Sequence, residues 1–111
     1  MKAEALARSN ASVSEVLGPL NILRERAKLE PYSTTENYTL PDLMEIIFRE
    51  LIIEVGVENG YEYFASVRFR DNMGNRLIAT INDAFISDNS LALPIPDDEL
   101  LFNPLMKQNP Y

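Results

Sequence analysis

Seventeen of the 111 residues are Asp or Glu and none is His or Cys, so a search for an acid–base pair starts from the carboxylates. Without imidazole or thiol, the commonest general base, the thiolate nucleophile, the zinc–thiolate site and the disulfide are all excluded. Glu50 and Glu54 stand four residues apart, which puts both on one helix face, close enough to shift each other's pKa. Two carboxylates alone do not make a glycosidase. Their ordinary fate is ion pairing, here with Arg49 or Arg24. Asp97-Asp98-Glu99 is an acidic cluster that could hold a hard cation. No loop of calcium-binding spacing accompanies it, and a helix start accounts for it. Tyr61, Tyr63, Phe64 and Phe69 offer a stacking platform for a sugar ring, although aromatics at this density are more often core. Arg24, Arg26 and Arg68 are expected to pack their stems on helix flanks and pair with a carboxylate or a loop carbonyl. No catalytic residue, metal ligand or cofactor site is expected, and the residues read singly do not mark a ligand site. Asn10-Ala11-Ser12 and Asn37-Tyr38-Thr39 match glycosylation acceptors, a triplet common by chance.

The elements that must position these groups are mostly helical. Residues 3–8 (AEALAR) are strong helix formers, ended by Ser9-Asn10. Ser12 as N-cap with Glu15 three residues on reads as a capping box. The next apolar positions are Val13, Val16, Leu17, Leu20, Ile22, Leu23, Ala27 and Leu29, most of them on one helical stripe. Gly18-Pro19 predicts a kink or a restart, and Glu30-Pro31 the end of that helix. Thr39 is a good N-cap, Pro41 falls in the first turn, and Asp42 and Glu45 suit the dipole. The helix that follows is too apolar for one wet face, so it is central or covered on two sides. Residues 61–70 (YEYFASVRFR) read as helix or strand, since the aromatics raise the strand odds. Residues 71–75 (DNMGN) are a turn. The β-branched content of residues 76–82 fits a strand in a short β-hairpin, and 83–90 are irregular with one turn near Ala84-Phe85-Ile86.

The end of the chain carries the sharpest pattern. Pro94 and Pro96 hold it extended, Asp97 and Asp98 favour a helix start, and Asn103-Pro104 and Asn109-Pro110 are stops.

Length allows one domain at most, burying roughly two-thirds of its unfolded surface. The 46% apolar content argues against disorder. A net charge of −7 argues against nucleic acid and anionic membranes and fits a solvated surface. No apolar run approaches the length of a membrane span. The N-terminus has no apolar h-region.

Leu93-Pro94-Ile95-Pro96, Asp98-Glu99-Leu100, Asn103-Pro104-Leu105 and Gln108-Asn109-Pro110-Tyr111 together resemble the stretch that closes SusD/RagB family proteins, without the usual Gly before the last Tyr. AEALAR at 3–8, with Leu20-Asn21-Ile22-Leu23-Arg24-Glu25-Arg26-Ala27, is similar to a helix pair of that family. The run from Glu58 to Arg68 resembles the family's "E..fEG.R.fDL.R", and the resemblance favours helix over strand for residues 61–70. Its Gly60, aromatic pair and Arg68 are retained, while Glu62 and Ala65 replace the usual Arg and Asp. No Arg–Asp pairing carries over, which points to a divergent subgroup.

The resemblance covers the whole chain but only the C-terminal end of the family's longer proteins. It implies a fragment, residues 1–111, forming a single SusD-like segment. Met1 falls inside what resembles a family helix, and the chain has no signal peptide and no lipid-anchor Cys. The implied fold is mainly α: a helical hairpin of tetratricopeptide type, further helices, and an extended Pro-rich tail packed across them. The implied role is non-enzymatic. Family members are surface-exposed lipoproteins of the outer membrane that capture oligosaccharides, or peptides in some relatives, and deliver them to a SusC-like TonB-dependent transporter. Their glycan contacts come largely from upstream regions, so this segment is expected to be scaffold, with homo-oligomers or domain swapping if it stands alone. The rival reading is a free-standing helical protein-interaction module derived from the segment.

Overall fold

Hydrogen bonds at the helix ends, more than propensity, set the element boundaries in the computed structural model, which describes residues 2–56 and 58–110. The helices are α1 (Lys2–Arg8), α2 (Val13–Arg26), α3 (Leu40–Val55), α4 (Tyr61–Arg68), α5 (Ile78–Ile81) and α6 (Asp97–Phe102), with 3₁₀ turns at Glu58–Gly60 and Asp88–Leu91. The fold is mainly α, with no strand among the described residues. It divides into two compact units, Met1–Leu77 and Ile78–Tyr111.

In the first unit, α2 starts in the expected capping box. The Ser12 hydroxyl accepts from the Glu15 N–H at 3.4 Å, and the Glu15 carboxylate accepts from the Ser12 N–H at 3.0 Å. Thr39 and Asp42 repeat the device at the start of α3, at 3.4 and 2.8 Å. Replacing Ser12 by Ala is expected to cost about 1 kcal/mol in urea unfolding. An unchanged midpoint would show that the box is not stabilising α2.

Helices α1 and α2 end in left-handed residues, Asn10 (φ 58) and Lys28 (φ 57). Ala11 N–H donates to the Leu6 carbonyl at 3.0 Å and Leu29 N–H to the Arg24 carbonyl at 2.8 Å, the Schellman arrangement. The second turn closes α2 at Arg26, ahead of the expected Glu30-Pro31 stop. The expected restart at Gly18-Pro19 is also absent, since α2 runs through both residues. Gly18 has no Cβ to meet the proline ring, which relieves the clash that turns residues before proline out of the helical region. Pro19 has no N–H, so only the intrahelical bond to the Glu15 carbonyl is lost.

The core lies around α3, which packs on α1, α2 and α4. Leu43, Met44, Ile47 and Leu51 form its buried stripe. They meet Ala3 and Ala7 of α1, Val16, Leu17 and Leu20 of α2, Ala65 of α4, and Phe69 just beyond α4. The central placement of α3 is as its composition predicts, although Ile53 stays 67% exposed.

Residues 61–68 resolve as helix. The strand expected over 76–82 does not form. Among the described residues the pairing there is an isolated antiparallel bridge between Arg70 and Arg76, after which Ile78–Ile81 is helical. The Asp71 carboxylate accepts from Met73 N–H at 2.9 Å and Asn75 N–H at 2.8 Å, so the predicted turn is tight. Beyond it, Ile78 is buried while Ala79, Thr80 and Ile81 are exposed. One buried side chain in four suits a helical turn and fails the alternation a half-buried strand requires.

In the second unit, Pro94 and Pro96 leave Ile95 as the one residue between them with an N–H to offer. Gln108 satisfies both its backbone groups: its Oε1 accepts from Ile95 N–H at 2.9 Å and its Nε2 donates to the Ile95 carbonyl at 3.0 Å. Asn109 Nδ2 adds a bond to the Leu93 carbonyl at 2.8 Å. Helix α6 starts where expected, but its N-cap is Pro96 and no side chain caps it. Asp97, Asp98 and Glu99 act there only as first-turn charges.

Candidate functional site

The carboxylates singled out by spacing are held by arginines. Glu50 lies buried on α3, where its Oε1 accepts from Arg24 Nη1 at 2.7 Å and from the Tyr32 hydroxyl at 2.8 Å. Arg24 also donates through Nε to the Glu30 carbonyl at 2.6 Å, and its guanidinium lies 4.3 Å from the Tyr32 ring centroid. Asn21, one turn earlier, binds both backbone groups of Tyr32, at 3.0 and 2.8 Å. Burial pushes the Tyr32 phenol up, and its bond to the Glu50 carboxylate adds to the rise. Glu54 faces a different cation: both its oxygens accept from Arg26 Nη2, at 2.7 and 2.8 Å. Arg49 pairs with Glu45 at 2.9 Å. Glu50 and Glu54 are therefore two separate ion pairs, not a coupled acid–base pair.

A third cluster joins the ends of the first unit. Arg68 of α4 donates through Nε and Nη2 to Glu4 of α1, at 2.9 and 3.0 Å, and Arg8 adds a bond at 3.1 Å. Burial pushes the Glu4 carboxyl up, but the bonds and charges of Arg68 and Arg8 outweigh it, so its pKa lies below the ordinary 4.5. Because the folded value is the lower one, this pairing stabilises the fold above pH 4.5 and is lost as the pH falls through the folded pKa. Glu4→Gln should be less stable than the parent at pH 7, with the gap closing below pH 4.5 in denaturant titrations. A gap that stays constant with pH would contradict the assignment.

Arg24, Arg26 and Arg68 thus all pair with carboxylates, and Arg24 also reaches a loop carbonyl. They differ in burial. The Arg26–Glu54 side chains are 66% and 44% exposed, those of Arg24–Glu50 only 19% and 7%. Sequence reasoning missed Glu4, Asn21 and Tyr32 as partners. The signal for Glu4 was its position four residues before Arg8; nothing local marks Tyr32.

Ala65 is only 1% exposed, so an Asp there would need a buried partner. Glu62 Oε2 is buried without a hydrogen-bond partner among the described residues.

The four aromatics separate. Phe69 is fully buried, while Tyr61, Tyr63 and Phe64 are 54%, 47% and 62% exposed. Tyr61 alone of these borders a cleft of about 540 Å³, lined by Glu4, Leu23, Leu51, Glu54, Val55, Tyr61 and Arg68. Every helix of the first unit from α1 to α4 contributes to it, which makes it the candidate site. Among the described residues no group of three or more His, Cys, Asp or Glu could hold a metal, the 97–99 cluster included. No helix among them is long and apolar enough to cross a membrane.

Comparison with curated proteins and with solved structures returned no match to either. The family model described as the SusD family matches residues 1–111. That match runs through the α1–α2 helix pair, the Gly60-to-Arg68 run and the Gln108-pinned tail, and on it the chain belongs to the SusD family.

Proposed function

We propose that this chain is a non-catalytic helical scaffold of a SusD-like nutrient-binding protein, one that captures oligosaccharides at the outer membrane and passes them to a SusC-like TonB-dependent transporter. The family match over residues 1–111 carries the reading. The side chains agree with it: Glu4, Glu50 and Glu54 are each engaged by an arginine of another helix, an arrangement suited to holding helices together. As one SusD-like segment of a longer family protein, the chain supplies structure around the glycan-binding regions.

A free-standing protein-interaction module is the competing reading. Leu101, Phe102 and Leu105, exposed by 75%, 81% and 92%, favour it. Such a module could also self-associate into a homo-oligomer through these side chains. Fractionation of the source cells, with antibody raised to this chain, separates the two. Signal in the outer-membrane fraction is expected. Signal confined to the soluble fraction would contradict nutrient capture and support the module.

A further inference from the structure

The segment from Leu93 to Asn109 is a closed hook. Gln108 ties its ends through both backbone groups of Ile95, and Asn109 through the Leu93 carbonyl. Asn103 shapes the tip: its Oδ1 accepts from Leu105 N–H at 3.2 Å and its carbonyl from Met106 N–H at 3.0 Å. A loop tied in this way has little freedom left to lose on binding. Its tip nevertheless leaves Leu101, Phe102 and Leu105 exposed, beside the exposed carboxylates of Asp97, Asp98 and Glu99. Hook against hook would bring like charges together across a two-fold axis, which is costly. The acidic, apolar tip suits instead an apolar hollow that carries positive charge.

The first unit holds such a hollow. Its cleft of about 540 Å³ is lined by Leu23, Leu51, Val55 and the half-exposed ring of Tyr61. Of the charged lining, Glu4 pairs with both Arg68 and Arg8, and Glu54 pairs with Arg26. Three guanidinium groups thus meet two carboxylates, which leaves local positive charge in a chain of net charge −7. Arg68 spends two donors on Glu4, and a guanidinium has five, so donors remain for a further carboxylate.

We infer that two copies of the chain exchange hooks. Leu101 and Phe102 of each copy seat against Tyr61 and Leu51 in the other's cleft, with the acidic first turn of α6 toward Arg68. Two reciprocal contacts close the assembly at a dimer, whereas a single one-way contact would leave a hook and a cleft open and grow into a filament. The inference goes beyond the scaffold reading and is independent of it, since it uses only this chain's own surfaces.

The test is sedimentation velocity of the whole chain from about 1 µM to about 1 mM, where a reversible shift from the 12.6 kDa monomer to a dimer is expected. Phe102→Asp with Leu105→Asp spoils the hook and keeps the cleft, while Tyr61→Glu spoils the cleft and keeps the hook. All three side chains are exposed, so both variants should keep the parent's circular dichroism. Each alone should dimerise at least tenfold more weakly than the parent. Mixed in equal amounts, they should associate more tightly than either does alone, through the one hook and the one cleft left intact. Asp97→Lys with Asp98→Lys should weaken the parent's dimer several-fold. A monomer at every concentration would overturn the exchange. So would undiminished dimerisation of Tyr61→Glu, a mixture that stays as dissociated as its components, or assemblies that grow past two copies. An equal or tighter dimer with the two lysines would overturn the charge pairing on which the exchange rests.

Discussion

Arg24→Ala should lose about 3 kcal/mol of stability, the low end of what breaking a buried ion pair costs. Glu50, whose side chain is 7% exposed, would keep only the Tyr32 hydroxyl as partner. The Glu30 carbonyl would lose its Arg24 donor, and the Tyr32 ring its stacked cation. The low end applies because Arg24 itself retains 19% exposure. A chain of this length has about 5–15 kcal/mol in all, so such a loss would move the urea midpoint far toward zero. Arg26→Ala is the control. Its pair with Glu54 is bidentate but open to solvent, and its removal should cost no more than about 1 kcal/mol. Arg24→Met with Glu50→Leu should recover much of the loss, because no carboxylate is left buried without a partner. Equal losses for Arg24→Ala and Arg26→Ala would contradict the burial argument.

Phe69→Ala should be as damaging, at about 3–5 kcal/mol. The ring is 0% exposed and lies 5.5 Å from Phe48, with the guanidinium groups of Arg68 and Arg8 at 5.3 and 5.7 Å. Its backbone donates to the Ala65 carbonyl of α4 and accepts from the N–H of Leu77, in the turn before α5, at 2.8 and 3.0 Å. Removing the ring would open a cavity under α3 and loosen the Glu4–Arg68 cluster beside it. Phe64→Ala, on the exposed side of α4, should stay within about 0.5 kcal/mol of the parent. Similar melting of the two variants would show that Phe69 is not the aromatic anchor.

The helical class and the helix starts were legible because their signals are local. Ser12 with Glu15 and Thr39 with Pro41 each act within one turn, and the structure uses them as the sequence implies. The restart expected at Gly18-Pro19 does not occur because the glycine that looks like a second breaker relieves the first. The strand over 76–82 misled because β-branched residues also occupy a short helical turn when one side chain alone is buried. The cleft was half legible. Tyr61 stood among the stacking candidates, but spacing could not separate it from Phe69, since burial is decided by where α3 lies. Tyr32 was beyond reach for the same reason, as its partner Glu50 is eighteen residues away in the chain.

The central claim is that this segment works within a transporter-coupled capture system. The most direct measurement is affinity isolation of the tagged chain, in its natural setting, from detergent-solubilised outer membranes, followed by mass spectrometry of the eluate. The account predicts a TonB-dependent transporter as a major co-purifying protein, present in proportion to the chain and retained through washes. An eluate with no such transporter, from membranes shown to contain one, would contradict it.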